Sequence, residues 1–286
     1  MTDPGEDDAW AGDRVARWLR QSEGLERQLA PVSEVLFGAV GLAPGERVLD
    51  VGCGTGPTTR QAAGLVGPSG AVTGLDVSAD MLAAAAGVAV PPGAAPITWT
   101  TADVVAWSPP DGAYDAVISR FGVMFFSDPP AAFAHLAAAV RPGGRLALAV
   151  WVRRDESDLF GVPLHATLEV RRRHGLDDPD GIPQEGGPFS LGDVAVAIAL
   201  LEGAGWADVT GTTHQLALPF GGGLAPEPAA GAAADFGPTR IAFEDLADDV
   251  RAEARAAIAD AFRSHVDARG HVVLGGRINL LTARRA

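Results

Sequence analysis

The sequence predicts an α/β fold: a doubly wound, mostly parallel sheet with helical additions. Three observations predict it. Val48-Leu-Asp-Val51 is a short apolar run that passes directly into Gly52-Cys-Gly-Thr-Gly56, as a buried parallel strand does where it turns towards a helix beside a ligand. A second apolar strand over 71–75 delivers Asp76, twenty residues beyond Gly56. Strand-like and helix-like segments then alternate, the pattern of right-handed β-α-β crossovers.

Residues 9–40 carry Trp10, Val15, Trp18, Leu19, Leu25, Leu29, Val32, Leu36 and Val40 at roughly helical spacing. Gly24 and Pro31 interrupt the run, so two or three short helices are predicted there. Pro44-Gly-Glu-Arg47 turns into strand one, and a helix follows Pro57. Strand two ends at Asp76, and a helix runs through Met81 to about residue 86. Strand three covers 97–101 and strand four 113–119, and a helix over 130–140 leads to strand five at 146–150.

Residues 153–190 mix charged turns and prolines with one amphipathic helix around Leu164, Leu168 and Val170, and read as a cap. A helix over 191–203 precedes strand six at 207–219, whose Thr, Val and Leu content suits a sheet. The glycine- and alanine-rich stretch 221–239 is too poor in large apolar groups to pack alone and is expected to be mobile. Phe243, Leu246, Val250, Ala254, Ile258, Phe262 and Val266 recur every three to four residues, predicting a helix over about 243–268 that stops near Gly270. Strand seven follows over 271–282. The chain thus divides into an N-terminal helical lid (1–42), a cofactor-binding core (43–152), a cap insertion (153–190) and the remainder of the core (191–286).

Composition excludes several chemistries. All 22 cationic residues are arginine, so a lysine Schiff base, a pyridoxal phosphate anchor, a Walker-type phosphate loop and a kinase strand lysine are ruled out. Cys53 is the one cysteine, which excludes an internal disulfide or a multi-cysteine zinc site, and no metal is expected. A net charge of −14 argues against nucleic acid as partner and for a small-molecule substrate. Arg171-Arg172-Arg173 stands before His174 and Gly175, where cations complement a helix C-terminus. No apolar stretch approaches membrane-spanning length, and the acidic start Met1-Thr-Asp-Pro-Gly-Glu-Asp-Asp8 is unlike a signal peptide, so a cytoplasmic protein is expected, monomer or homodimer. By analogy, the lysine-free, Ala/Gly-rich composition looks bacterial.

Loop spacing separates the cofactor classes. A dinucleotide fingerprint reads G-x-G-x-x-G, whereas here G-x-G-x-G is followed by Pro57. An acid at the end of strand two grips ribose hydroxyls in either class.

Four blocks in order, Asp50-Val-Gly-Cys-Gly-Thr-Gly56, Gly74-Leu-Asp-Val-Ser78, Ala102-Asp103-Val104 and Tyr114-Asp-Ala-Val-Ile-Ser-Arg120, followed by Arg141-Pro-Gly-Gly144 and Leu146-Ala-Leu-Ala-Val150, resemble the class I S-adenosylmethionine-dependent methyltransferases. Ser119 to Phe126 is particularly like the ubiquinone and menaquinone biosynthesis subgroup. The resemblance covers roughly 46–151. It implies a Rossmann-like seven-stranded sheet of order 3-2-1-4-5-7-6 with strand seven antiparallel, and S-adenosyl-L-methionine as cofactor. It places Asp50, Gly52, Cys53, Gly54 and Gly56 at the methionine end, Asp76 with Val77 at the ribose, Asp103 and Val104 at the adenine and Met81 on its face, with Ser119 and Arg120 at the end of strand four.

Ligands bind at the carboxyl edge of such sheets, so Phe121, Met124 and Phe125 are expected to floor the acceptor site and Trp10 and Trp18 to cover it. The expected reaction is in-line methyl transfer to a small, apolar or aromatic metabolite, such as a bacterial secondary metabolite. If the acceptor needs a base, His165 in the cap is the candidate among six histidines. Alternatives are a methyltransferase-like enzyme that uses the bound sulfonium for cyclisation or isomerisation, an NAD-dependent oxidoreductase, and a cofactor-free binding module on the same fold.

Overall fold

The computed structural model describes residues 13–109 and 111–286. Seven strands form one sheet in the spatial order β3-β2-β1-β4-β5-β7-β6. They are β1 (Arg47–Val51), β2 (Ala71–Asp76), β3 (Ile97–Thr101), β4 (Tyr114–Arg120), β5 (Val140–Trp151), β6 (Trp206–Pro219) and β7 (Val273–Arg285). The first five pair in parallel, and β7 runs antiparallel between β5 and β6. The expected order and the antiparallel seventh strand are both present.

The strand order reverses between β1 and β4, so their carboxyl ends diverge and open a crevice there. Val48, Leu49, Val117, Ile118, Leu146 and Leu148 are all fully or almost fully buried, as a sheet covered on both faces requires.

Between the strands run α2 (Pro57–Val66), α3 (Ala79–Ala86) and α4 (Pro129–Ala139), preceded by the long α1 (Asp13–Val40). Two or three short helices were expected in the α1 region, and one continuous helix of 28 residues stands there, with Pro31 inside it. Leu25, Leu29, Val32, Leu36 and Val40 are all buried along one stripe, and that packing outweighs the roughly 3 kcal/mol that an interior proline costs.

After β5 come α5 (Asp158–Arg173) and α6 (Val194–Gly203), and after β6 come α7 (Pro226–Ala234), α8 (Gly237–Phe243) and α9 (Asp248–Phe262). The stretch expected to be mobile therefore holds a helix. Ala229, Ala230, Ala233 and Ala234 of α7 are buried, and small side chains let it approach its neighbours closely, burying area that large apolar groups were expected to supply. The helix expected over 243–268 is shorter, Asp248–Phe262: Glu244 to Ala247 form a turn before it, and a 3-10 turn at Arg263–His265 ends it.

Candidate active site

At the end of β1 the chain turns through Gly52, Gly54 and Gly56, all with φ between +54° and +75°. Gly52 lies against the loop after β4, where a Cβ on it would fall 2.5 Å from the Cα of Gly122. The two loops therefore touch backbone to backbone, which no side chain at either position would permit. Ser119 clamps the pair: its hydroxyl donates to the Val51 carbonyl at 2.7 Å and accepts from the Gly122 N–H at 3.2 Å.

Beneath the loop Asp50 is completely buried. One of its oxygens, Oδ2, accepts from the hydroxyls of Thr58 (2.7 Å) and Thr59 (2.6 Å) in the first turn of α2, and Oδ1 has no partner among the described residues. Burial pushes its carboxyl up to about 6 against the pull of the two hydroxyls. The folded state thus holds this proton more tightly than the unfolded chain. Its destabilising effect is absent below the ordinary carboxylate range, grows as pH rises, and is complete above about pH 6, at about 3 kcal/mol. Asp50→Asn, which removes the charge, is expected to gain stability relative to the wild type by about that amount between roughly pH 4 and pH 7 in urea melts. A pH-independent difference would sink the assignment.

Asp76 ties strand end to loop. Its Oδ2 accepts from the Gly54 N–H at 2.7 Å and its Oδ1 from the Ser78 N–H at 2.9 Å. Burial pushes its carboxyl up, opposed by these amides. Each oxygen keeps a further lone pair for a ligand hydroxyl. Asp103 accepts through Oδ1 from the N–H groups of Val105 (2.6 Å) and Ala106 (3.2 Å), and its other oxygen has no partner among the described residues. Met81 and Val104 are buried apolar walls between these acids.

These groups line one side of a cavity of about 430 Å³ at the carboxyl edge of the sheet. The other side is aromatic. Phe121 holds φ at +69°, a left-handed conformation unusual for a bulky residue, and its ring stacks on Trp151 with centroids 4.0 Å apart. Phe160 meets Trp151 edge-on at 5.2 Å and stacks on Phe236 at 6.1 Å. Arg120 spans from β4 to α1, donating to Glu26 at 2.5 Å and to Ser33 at 2.8 Å, so the long helix is pinned over the crevice.

Gly52, Cys53, Gly54, Asp76, Val77, Met81, Asp103, Val104, Arg120, Phe121, Met124 and Phe125 all line this cavity. Four expected site residues do not. Asp50 and Ser119 lie buried beneath it and act on the loop, and Gly56 turns towards Trp99, whose ring would be 2.3 Å from a Cβ there. His165 sits on the exposed side of α5, and none of the six histidines lines the cavity. Burial pushes the Cys53 thiol up, which leaves it unreactive. Trp10 lies outside the described residues, as does the side chain of Trp18. Sequence reasoning missed Glu26 and Gln28 on α1, Trp151 and Phe160 on the aromatic side, and Asp235 and Phe236 beside α7. Gln28 carried a signal: it is polar yet falls on the stripe formed by Leu25, Leu29 and Val32.

A family model described as a methyltransferase domain matches residues 48–144, the stretch that holds the glycine turn, Asp76, Asp103 and β4. Residues 48–144 are a methyltransferase domain. Over 136 residues the chain is 36% identical to nocamycin O-methyltransferase of Saccharothrix syringae, a match covering 48% of each chain. Over 109 residues it is 36% identical to 2-phytyl-1,4-naphtoquinone methyltransferase of a Synechocystis species, covering 38% of this chain and 46% of that one. The chain spans about half the length of these curated relatives. Among solved structures, the [4+2]-cyclase SpnF aligns with a TM-score of 0.51 at 21% identity, over 89% of this chain and 80% of that one, a likeness of fold. The aromatic side of the cavity, from Trp151 onwards, is built outside the matched methyltransferase domain.

Proposed function

We propose that this chain transfers the methyl group of S-adenosylmethionine to a small apolar or aromatic metabolite by in-line displacement. The observation that carries the reading is the continuity of one cavity from the glycine turn and the two acids to the ring cluster of Phe121, Trp151, Phe160 and Phe236. The residues present fit the cofactor. Gly54 leaves open space beside the loop that a Cβ there would enter, Asp76 offers two oriented acceptors suited to ribose hydroxyls, and Asp103 keeps one oxygen for the purine end.

When bound, S-adenosylmethionine supplies an electrophilic methyl carbon on a sulfonium. The chain's own task is to position and to keep water out. Asp76 and the loop amides fix the donor side, Met81 and Val104 close over it, and the aromatic side orients a flat acceptor. Placing two partners at attack distance can contribute up to about 7–11 kcal/mol, so no covalent intermediate with the protein is required. Proton removal, where an acceptor needs it, falls to a carboxylate or to the acceptor's own acidity, because the cavity holds no histidine and the chain no lysine.

The test is product mass. Incubation with S-adenosylmethionine and a panel of phenolic and enolic metabolites is expected to give S-adenosylhomocysteine and a product heavier by one methyl in place of hydrogen. Conversion at unchanged mass would point instead to cyclisation or isomerisation with the cofactor retained. In a thermal-shift comparison, S-adenosylhomocysteine is expected to raise the melting temperature more than NAD does, and the reverse order would favour an oxidoreductase.

A further inference from the structure

A second cleft, of about 300 Å³, opens between α1 and the turn after β6. Leu25, Phe220, Leu224 and Ala232 form its walls, and Arg20 and Arg27 stand at its rim. Gln28, with Gln21, Leu25 and Phe236, lines both this cleft and the main cavity, so the two spaces share a wall at Gln28.

Gln28 is only 2% exposed. Its Oε1 accepts from the Gly221 N–H at 2.7 Å, which fixes the orientation of the carboxamide. The NH₂ group is left without a partner among the described residues. With no bond inside the protein and its residue lining the cavity, this donor is free to meet a ligand oxygen while the carbonyl end of the amide stays fixed. The surroundings hold it rigidly, because α1 approaches the turn at Gly24, where a Cβ would fall 2.7 Å from the Gly221 carbonyl.

We infer that Gln28 is the recognition donor for an oxygen of the methyl acceptor, and that the cleft takes the part of the acceptor beyond that oxygen. This inference rests on the methyl-transfer reading. The acceptor is then an elongated molecule: a ring on the aromatic side, a carbonyl or hydroxyl oxygen level with Gln28, and an apolar extension lying along Leu25, Phe220 and Leu224 towards the arginine rim. A lone planar ring leaves both the amide and the cleft unused.

Isothermal titration of the full chain saturated with S-adenosylhomocysteine tests this with three probes: acetylphloroglucinol, octanoylphloroglucinol and octylphloroglucinol, which lacks the carbonyl. The octanoyl compound is expected to bind at least about tenfold more tightly than the acetyl compound, since its chain buries further methylenes. Gln28→Glu keeps an oxygen for the Gly221 N–H and removes the donor, so it is expected to weaken the octanoyl compound about tenfold and to spare octylphloroglucinol. Ala232→Phe fills the cleft from α7 and is expected to erase the advantage of the longer chain. Equal affinity of the octanoyl and acetyl compounds in the wild type would overturn the inference, as would equal losses for the keto and octyl compounds in Gln28→Glu. Flat titrations with all three probes, beside normal S-adenosylhomocysteine binding, would overturn it alone. Failure of S-adenosylhomocysteine itself to bind would bring down the methyl-transfer reading, and this inference with it.

Discussion

Asp76→Ala is expected to weaken S-adenosylhomocysteine binding by about a thousandfold while changing the melting temperature of the ligand-free protein by only a few degrees. The affinity estimate follows from the loss of two hydrogen bonds to a charged group, each contributing about 1.5–3 kcal/mol. The stability estimate follows from two opposing effects. Removing the carboxylate strands the Gly54 and Ser78 amides, at about 1–3 kcal/mol each if they stay dry, but it also removes the desolvation of a charge that burial already disfavours. Because the folded-state carboxyl is pushed up, its ionised form destabilises the fold above the ordinary carboxylate range, and the variant escapes that effect at neutral pH. Calorimetric titration and melting separate the two roles. Unchanged affinity would remove Asp76 from the cofactor site, whereas a large fall in melting temperature with modest loss of affinity would make it a structural tie of the glycine turn.

Much of this architecture was legible because the sheet is built locally. β1, β2 and β4 each carry an apolar run and a turn of their own, so spacing places them, and the acid ending β2 stands out by position. The side of the site furnished by distant segments was not legible. Ser119 and Arg120 are neighbours at the end of β4, and in a strand covered on both faces nothing in the sequence says which of two successive side chains looks into the crevice. The structure turns Arg120 into the cavity and Ser119 into the sheet, where it braces the loops. His165 failed for a related reason. Helical periodicity puts Leu164 and Val170 inwards and leaves His165 outside, whatever chemistry an imidazole could offer.

The alanine-rich stretch packs although it lacks large side chains, because burial does not require them. In α7 the helix axis itself comes close, so four alanines suffice to anchor the wall that carries Asp235 and Phe236 into the cavity. The matched domain ends before this wall begins. The cavity thus has one side within the matched domain and another assembled from α1, the end of β5, α5 and the segment after α7.

The glycine turn and the aromatic side of the cavity are coupled through a single backbone approach, and substitution at Gly52 should expose that coupling. Gly52→Ala is expected to destabilise the protein by about 4 kcal/mol or more, and Gly54→Ala by only about 1–2 kcal/mol, although both residues hold left-handed φ values, +64° and +54°. The left-handed penalty is common to the two. They differ in surroundings: nothing lies within 4 Å of a Cβ on Gly54, whereas one on Gly52 meets the Gly122 Cα at 2.5 Å, and backbone cannot rotate aside as a side chain can. Relief must come from moving the loop after β4. That loop carries Phe121, already strained at +69° and stacked on Trp151, so the displacement reaches the aromatic side of the cavity. At roughly 2–4 °C per kcal/mol for a chain of this size, Gly52→Ala should lower the melting temperature by about 10 °C or more and Gly54→Ala by roughly a third of that. Octanoylphloroglucinol binding should fall in Gly52→Ala beyond any change in S-adenosylhomocysteine binding. Equal destabilisation by the two substitutions would show that the loops can part without cost, and would remove the physical link between the halves of the cavity.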